Sequence, residues 1–267
     1  MLNNALILFL EFTREHEGLG LSILKPLVNR LFPKKSISLL ILNNAESRNF
    51  EQELDENTNY ISGENSSREF SGYDKGIDWF KSCELVDEST TFIIANDTFH
   101  RSYGTDYLKD FTSESLIKAE SLGGILGYVD AFPSPVTLDQ TTFQKWIRSS
   151  IFIIKYKALR KLLPFNIPLN KTDLFSEEYH QTFFKNPSLL SENYQAFIKT
   201  WLFESLKVDS DFTEEWHSKQ SLNKENVESM RQKAFCILCE HSFSAQAQKL
   251  GIPLIPTNSK NLPLEFR

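Results

Sequence analysis

Polar residues that can bind a ligand stand directly after apolar runs of the chain. Asn43, Asn65 and Asp97 each follow such a run. Side-chain amides donate and accept hydrogen bonds, and carboxylates bind hard cations. Because the carboxyl ends of strands form the ligand crevice of an open α/β sheet, we expect these three side chains to converge at one edge. The sequence therefore predicts a site for a polar small molecule there.

The elements that must position these residues alternate between strands and helices. Near-continuous apolar runs are typical of strands buried on both faces of a parallel sheet. They predict strands over 5–12, 36–42, 59–62, 90–95, 123–129 and 149–154. Helical spacing of apolar residues predicts helices over 21–31, 70–83, 156–163 and 224–250, and a helical pattern over 174–201 that Pro187 breaks. This order indicates an α/β fold with a mostly parallel central sheet, flanking helices and a helical C-terminal part.

Length and patterning favour a single domain. A chain of 267 residues can bury about three quarters of its unfolded surface in one α/β core, and no linker divides it. We therefore predict one domain over residues 1–267. Its sequence is richer in aromatic residues after residue 130.

Charge and cysteine content exclude several classes of function. A net charge of −6 argues against nucleic acid as a partner, because phosphate contacts need clustered Lys and Arg. Three cysteines make no even disulfide set and suit a reducing compartment. Cys236 and Cys239 form a C-x-x-C, but they lie in an apolar helical pattern, so we interpret them as helix residues and not as a redox or zinc site.

No targeting segment or common site motif stands out. The apolar run 5–10 lacks a basic flank and a cleavage site and is too short to span a bilayer, so we expect a cytoplasmic protein. The dinucleotide fingerprint fails at Ile23, where its last glycine should stand. The phosphate loop, the G-x-S-x-G elbow and H-E-x-x-H are also missing. The commoner nucleotide-binding and hydrolase classes are therefore disfavoured.

A loop and four further segments resemble one enzyme family. The loop 64–76 has an Asn, a basic residue and spaced glycines between a strand and a helix. Four further segments share features with the same family and, together with the loop, occur in the order expected of it: 41–44 before the loop, and 92–98, 146–152 and 239–244 after it. In these features the chain resembles the nucleotide-sugar glycosyltransferases of GT-A fold, particularly the bacterial rhamnan-synthesis type.

This resemblance implies a function and its partners. The donor would be a nucleotide-sugar, and the acceptor a surface glycan or a lipid-linked precursor. Residues 1–130 would form the nucleotide-binding half, and residues 131–267 the acceptor-binding and helical half. A lipid-linked acceptor would bring the protein to the inner face of the membrane without insertion.

The resemblance also implies roles for the residues of the nucleotide-binding half. Asn43 and Asn44 would recognise the base, although an Asn-Asn turn that caps a strand explains them equally well. Asn65 and Arg68 would hold the ribose or the diphosphate, since the Arg fork donates bidentate hydrogen bonds. The alternative for Arg68 is an ordinary surface position.

Asp97 lies where the family has an acidic D-x-D-type motif that binds a divalent cation, Mg²⁺ or Mn²⁺, against the diphosphate. Only one of the carboxylates is present here. A metal held by Asp97 alone, a metal-independent enzyme, and an Asp97 that merely caps the next helix all remain open.

Inverting transfer needs a carboxylate base for the acceptor hydroxyl. Glu240 resembles the family's late acidic motif and, in a helix, shares a face with Ser244. Asp130 is the rival base, and a solvated glutamate is the alternative for Glu240. His180 and His241 are further candidates, each more typical of a surface or half-buried position.

Three functions are consistent with these residues. The first is glycosyl transfer with inversion. The second is a catalytically inactive sugar- or nucleotide-binding partner of the same fold, which the lone Asp97 allows. The third is a small-molecule α/β enzyme unrelated to sugars.

Overall fold

The computed structural model describes residues 4–12, 18–33, 35–46, 48–101, 104–165, 169–203 and 219–258. Its strands are β1 (Ala5–Glu11), β2 (Ile37–Asn43), β3 (Glu51–Asp55), β4 (Thr58–Ser62), β5 (Thr91–Asn96), β6 (Ile125–Leu138), β7 (Thr141–Lys155) and β8 (Leu254–Pro256). Its helices are α1 (Leu19–Leu31), α2 (Glu69–Ser82), α3 (Thr98–Arg101), α4 (Ser113–Leu122), α5 (Tyr156–Leu159), α6 (Lys171–Leu174), α7 (Glu192–Leu202) and α8 (Val227–Lys249).

One sheet runs through the molecule in the order β3-β4-β2-β1-β5-β7-β6-β8. Strands β4, β2, β1 and β5 are parallel neighbours, and β8 pairs parallel with β6. Strand β7 runs antiparallel between β5 and β6, and β3 pairs antiparallel with β4. The predicted α/β class with a central parallel sheet and flanking helices is confirmed.

Helices cover both faces of this sheet because its inner strands are apolar on both sides. All seven residues of β1 are buried. Alternate residues Ile7 and Phe9 pack with α1 and α4 in one core cluster. Leu8 and Leu10 pack on the opposite face in a cluster with α2, α7 and α8. The result is a three-layer arrangement whose strand ends are free to form a site.

Several elements differ from the sequence-based expectation. Helix α4 and strand β8 were not predicted, and the helix predicted over 156–163 ends at Leu159. Strand β3 was not predicted, because all its residues are exposed at the sheet edge and show no apolar period. Strands β6 and β7 form a much longer hairpin than the predicted strands over 123–129 and 149–154. The prediction missed the outer halves of these strands because they are only partly buried and show no continuous apolar run.

The helical pattern predicted over 174–201, with its break at Pro187, is right after the break, where α7 forms. It is wrong before the break, where irregular chain follows α6 and the aromatic residues pack as a cluster without helical structure.

The long C-terminal helix forms nearly as expected. Cys236 and Cys239 are buried on α8, as predicted for helix residues, and burial raises the pKa of the Cys236 thiol. None of the helices described combines the length and the hydropathy needed to cross a bilayer.

Candidate functional site

The carboxyl ends of three parallel strands bring polar residues to one edge of the sheet. In the register of β1 and β2, Glu11 lies opposite Asn43. Asp97 follows the last residue of β5, on the other side of β1, and its backbone N–H donates to the Leu10 carbonyl. Asn43 and Asp97 are 2% and 3% exposed, so their side chains lie in the edge itself and not in solvent.

Asn43 stabilises the end of β2. Its Nδ2 donates to the Tyr60 hydroxyl over 2.7 Å, and its Oδ1 accepts from the Ala45 backbone N–H over 3.0 Å. These contacts are those of a turn that caps a strand. Base recognition by Asn43 stays a prediction.

Asn44 anchors the loop that precedes α2. Its Nδ2 donates to the Arg68 carbonyl over 2.9 Å, and its Oδ1 accepts from the Glu64 backbone N–H over 3.1 Å. Gly63 must be glycine here, because a Cβ at that position would lie 2.0 Å from Asn44 Oδ1. With both ends of its amide engaged, Asn44 positions the loop, and a direct role in base recognition stays a prediction.

The anchored loop presents Asn65 and Arg68. Asn65 is exposed, and its side chain has no hydrogen bond to another described residue. Arg68 is half-buried and has a φ of 51°, a conformation that costs free energy in a non-glycine residue and is often found at functional positions. Its carbonyl accepts from both Asn44 and Ser71, which holds this backbone in place.

We expect Asn44→Ala to lower the free energy of unfolding by about 1–3 kcal/mol, because it leaves the Glu64 backbone N–H without its partner and removes one of the donors to the Arg68 carbonyl. Asn65→Ala is the matched control and should change that free energy by less than about 0.5 kcal/mol. Urea denaturation of both variants checks this. Equal unfolding midpoints would show that Asn44 does not hold the loop.

Asp97 joins the ends of β1 and β5. Its Oδ2 accepts from the Phe12 backbone N–H over 3.1 Å. The helix cap that the sequence allowed for Asp97 belongs instead to Asn96, whose Oδ1 accepts from the Thr98 N–H and hydroxyl. Within the described ranges, no group of three or more His, Cys, Asp or Glu side chains is arranged to hold a metal ion. The metal role of Asp97 stays a prediction.

An irregularity in β7 creates the next part of the site. Gly127 pairs with Phe152 and Val129 with Ile147, so residues 148–151 form a bulge in β7. The Tyr73 hydroxyl accepts from Asn96 and donates to the Ser149 carbonyl, so the bulge lies beside the end of β5, next to Asp97. The bulge releases the backbone of Ser149 from the ladder at the edge where Asp97 lies.

Ser149 holds the carboxylate of Glu240. The backbone N–H and the hydroxyl of Ser149 both donate to Glu240 Oε2, over 2.7 and 2.5 Å. Two further residues on the same face of α8 bind the β7 backbone: Ser244 Oγ accepts from Ile147 N–H, and Gln248 donates to a β7 carbonyl. The predicted shared face of Glu240 and Ser244 is confirmed, and it orients Glu240 toward the bulge.

The environment of Glu240 suits proton transfer near neutral pH. Burial raises its pKa to about 7, against the hydrogen bonds from Ser149, and the charges of Glu69 and Asp130 raise it further. The side chain is half-buried, so a proton can enter and leave. A base with a pKa near the working pH is the most effective kind.

Asp130, the rival base, lies near Glu240 but in a different environment. Arg148 Nε and Nη2 donate to its two oxygens over 2.6 and 3.1 Å. The Arg148 guanidinium also lies 4.0 Å from the centre of the Tyr128 ring, which restricts it. Both carboxylate oxygens of Asp130 are thus engaged in a bidentate ion pair, whereas Glu240 has one oxygen outside its contacts with Ser149.

Besides Ser149, two further residues of the site were missed in the sequence. Tyr73 is fully buried, donates to the Ser149 carbonyl and accepts from Asn96, so it links the end of β5 to the bulge. Glu69 is half-buried in the first turn of α2; burial and the charge of Asp97 raise its pKa, while Arg68 lowers it. Glu69 directly follows the candidate residue Arg68 in the sequence, and this position could have indicated that Glu69 belongs to the site. Nothing in the local pattern marks Tyr73 as more than a core aromatic residue.

The two candidate histidines, His180 and His241, lie outside this cluster. His180 is exposed. His241 is fully buried, not half-buried as expected; its Nδ1 lies 2.7 Å from the Tyr194 hydroxyl, and burial lowers its pKa to about 3. His241 is therefore neutral at physiological pH and packs as part of an aromatic core.

Comparison with known proteins gives few matches. No protein-family model and no curated protein sequence matches the chain. Among the solved structures that match is a 4-diphosphocytidyl-2C-methyl-D-erythritol synthase, with a TM-score of 0.35 and 7% sequence identity over 60% of this chain and 78% of that one.

Proposed function

We propose that this chain is a glycosyltransferase that moves a sugar from a nucleotide-sugar to a surface glycan or a lipid-linked precursor, with inversion at the anomeric carbon. The observation that supports this best is Glu240, a carboxylate with a pKa of about 7 held by the β7 bulge at the carboxyl edge of the sheet. That edge is where open α/β sheets bind their ligands. The resemblance of the loop 64–76 to nucleotide-sugar transferases supplies the choice of substrate.

The donor would bind along the edge from β2 to β5. Arg68 and Asn65 in the anchored loop would donate hydrogen bonds to the diphosphate or ribose, because a guanidinium matches paired phosphate oxygens. Asn43 would contact the base from the end of β2. The strained backbone conformation of Arg68, next to Asn44 at the end of β2, supports its role in donor binding.

A divalent cation fits the chemistry of the residues beside the diphosphate. Asp97 Oδ1 has no hydrogen bond to a described residue, and Glu69 is close enough for the charge of Asp97 to raise its pKa. Mg²⁺ and Mn²⁺ prefer carboxylate oxygens, and Asp97 with Glu69 would supply them. When bound, such an ion offsets negative charge on the leaving diphosphate.

The residues of the bulge would carry out the proton transfer. As the acceptor hydroxyl oxygen bonds to the anomeric carbon, its proton passes to Glu240 Oε1, and the bond from that carbon to the diphosphate oxygen breaks with its electron pair. Ser149 holds Oε2 and so orients Oε1. Tyr73 fixes Ser149 in turn, and burial keeps its hydroxyl protonated by raising its pKa.

A binding protein without catalysis is the second candidate. The contact of Asp97 Oδ2 with the Phe12 backbone favours it, because a carboxylate that joins two strands is partly committed to structure. Such a protein would bind the nucleotide-sugar and leave it intact.

Incubation of the full chain with UDP-, GDP-, dTDP- and CDP-sugars separates these candidates. For a glycosyltransferase we expect one donor to release its nucleoside diphosphate, at a rate that Mg²⁺ or Mn²⁺ and added oligosaccharide acceptors increase. Tight binding of a donor without release, with every acceptor and metal tried, would identify the binding protein. Neither binding nor release would contradict both.

A further inference from the structure

A cavity lies away from the carboxyl edge. It has a volume of about 380 Å³, within the range of about 300–1,000 Å³ that is usual for small-ligand sites. The turn of the β6–β7 hairpin, the chain after α5 and the last turns of α8 line it.

The cavity is separate from the site around Glu240. Ser242 lies about 200° around α8 from Glu240, and Gln246 and Lys249 extend the Ser242 face toward the end of the helix. The Glu240 face of α8 is occupied by contacts with the β7 backbone. A ligand in the cavity would therefore approach the opposite side of the helix.

Polar groups without partners converge on this cavity. The side chains of Thr141, Lys161, Ser242, Gln246 and Lys249 line it, and none has a hydrogen bond or ion pair with another described residue. Ser242, which lines the cavity, is 8% exposed. The donors and acceptors of these side chains are therefore available to a ligand in the cavity.

The chemistry of the lining defines the ligand. Lys161 and Lys249 supply two positive charges, against the single negative charge of Asp139. Leu138, Leu169 and Ala245 add apolar surface to the lining. Ammonium, amide and hydroxyl groups together with apolar side chains suit a pyranose ring, whose hydroxyls need both donors and acceptors and whose C–H faces are apolar.

We propose that this cavity binds a sugar unit that bears one anionic group, a carboxylate or a phosphate. Lys161 and Lys249 pair with the anionic group, while Ser242 and Gln246 bind ring hydroxyls. The proposal goes beyond glycosyl transfer at the carboxyl edge, because the cavity can bind such a unit whether or not Glu240 is a catalytic base.

Titration of the ¹⁵N-labelled full chain, without nucleotide, tests the proposal. Three probes are compared: D-glucuronate, α-D-glucose 1-phosphate and neutral D-glucose. We expect at least one of the two acids to shift the backbone amide signals of Thr141, Ser242 and Gln246 saturably, with a Kd of about 1 mM or tighter. The acid that binds identifies the anionic group, and glucose should bind at least tenfold more weakly.

Lys161→Gln/Lys249→Gln removes both charges from exposed positions and should weaken binding of that acid at least tenfold. Lys109→Gln/Lys118→Gln, two exposed lysines elsewhere, is the matched control and should bind normally. Equal binding of glucose, an undiminished affinity in the first double variant, or no saturable shift at the cavity with either acid would overturn the proposal. Because nucleotide is omitted, none of these results depends on the carboxyl edge.

Discussion

Glu240→Gln should lower turnover by about 10²- to 10⁴-fold and leave donor affinity almost unchanged. Glutamine has nearly the same shape, and its Oε1 can still accept from the Ser149 N–H and hydroxyl. It cannot accept a proton from the acceptor hydroxyl, so only the chemical step loses its base. Steady-state kinetics with the donor that the chain uses, together with calorimetric binding of the nucleoside diphosphate, measure the two effects separately.

Asp130→Asn is the matched control, because it removes the other carboxylate while Glu240 remains. We expect a smaller loss of turnover, since Asp130 is engaged by Arg148 and acts on Glu240 only through its charge. Near-normal turnover in Glu240→Gln with an inactive Asp130→Asn would assign the base to Asp130. Normal turnover in both would leave this mechanism without a base.

Stability measurements distinguish loss of the base from loss of the fold. Burial raises the pKa of Glu240 in the folded state to about 7, so the protonated side chain contributes to the free energy of unfolding at low pH, and this contribution is lost as the pH rises through 7. Glutamine does not titrate, so the Glu240→Gln variant does not lose stability in this way. After allowance for its partial exposure, we expect this variant to gain about 2 kcal/mol relative to wild type between pH 5 and pH 8.

The pH dependence of transfer should show the same group. We expect kcat/KM to fall about tenfold per pH unit below pH 7, since only the ionised carboxylate accepts a proton. Ser149→Ala removes a hydroxyl that stabilises the carboxylate, so it should raise the pKa of Glu240. The acidic limb of the pH profile, in which kcat/KM falls with decreasing pH, should therefore move to higher pH by about one unit. Activity should recover at higher pH.

Ser244→Ala is the control for this shift. Ser244 lies on the same face of α8 and binds the β7 backbone, but it does not contact Glu240. Its removal should leave the limb in place even if stability falls. A limb that moves equally in both variants, or one that stays in place in Ser149→Ala, would show that Ser149 does not control the base.

The inner strands could be predicted because burial on both faces leaves a continuous apolar run, as in β1 and β5. The same reasoning missed β3, whose pairing to β4 depends on backbone hydrogen bonds and not on side-chain burial. It also extended a helix through the aromatic residues between α6 and α7. Those rings pack against one another without helical structure, and spacing alone does not distinguish the two cases.

The site was predictable to the extent that it follows strand ends and helix faces. Asn43 and Asp97 follow strands, and Glu240 shares a helix face with Ser244, all of which is visible in the spacing. The partner of Glu240 was not predictable, because Ser149 reaches it through a bulge set by the register of β6 and β7. The fold also uses Asn44 to anchor a loop, which residue type alone does not show.

Carbon-13 NMR titration of the Glu240 carboxyl group, with and without a saturating nucleoside diphosphate and without divalent cations, tests the base and its location together. The structure predicts a midpoint near pH 7 in the free protein. Bound diphosphate at the carboxyl edge should raise that midpoint, because a nearby negative charge disfavours the carboxylate. A midpoint near the ordinary value of about 4.3, or one that bound nucleotide leaves unchanged, would contradict a donor site with Glu240 as its base.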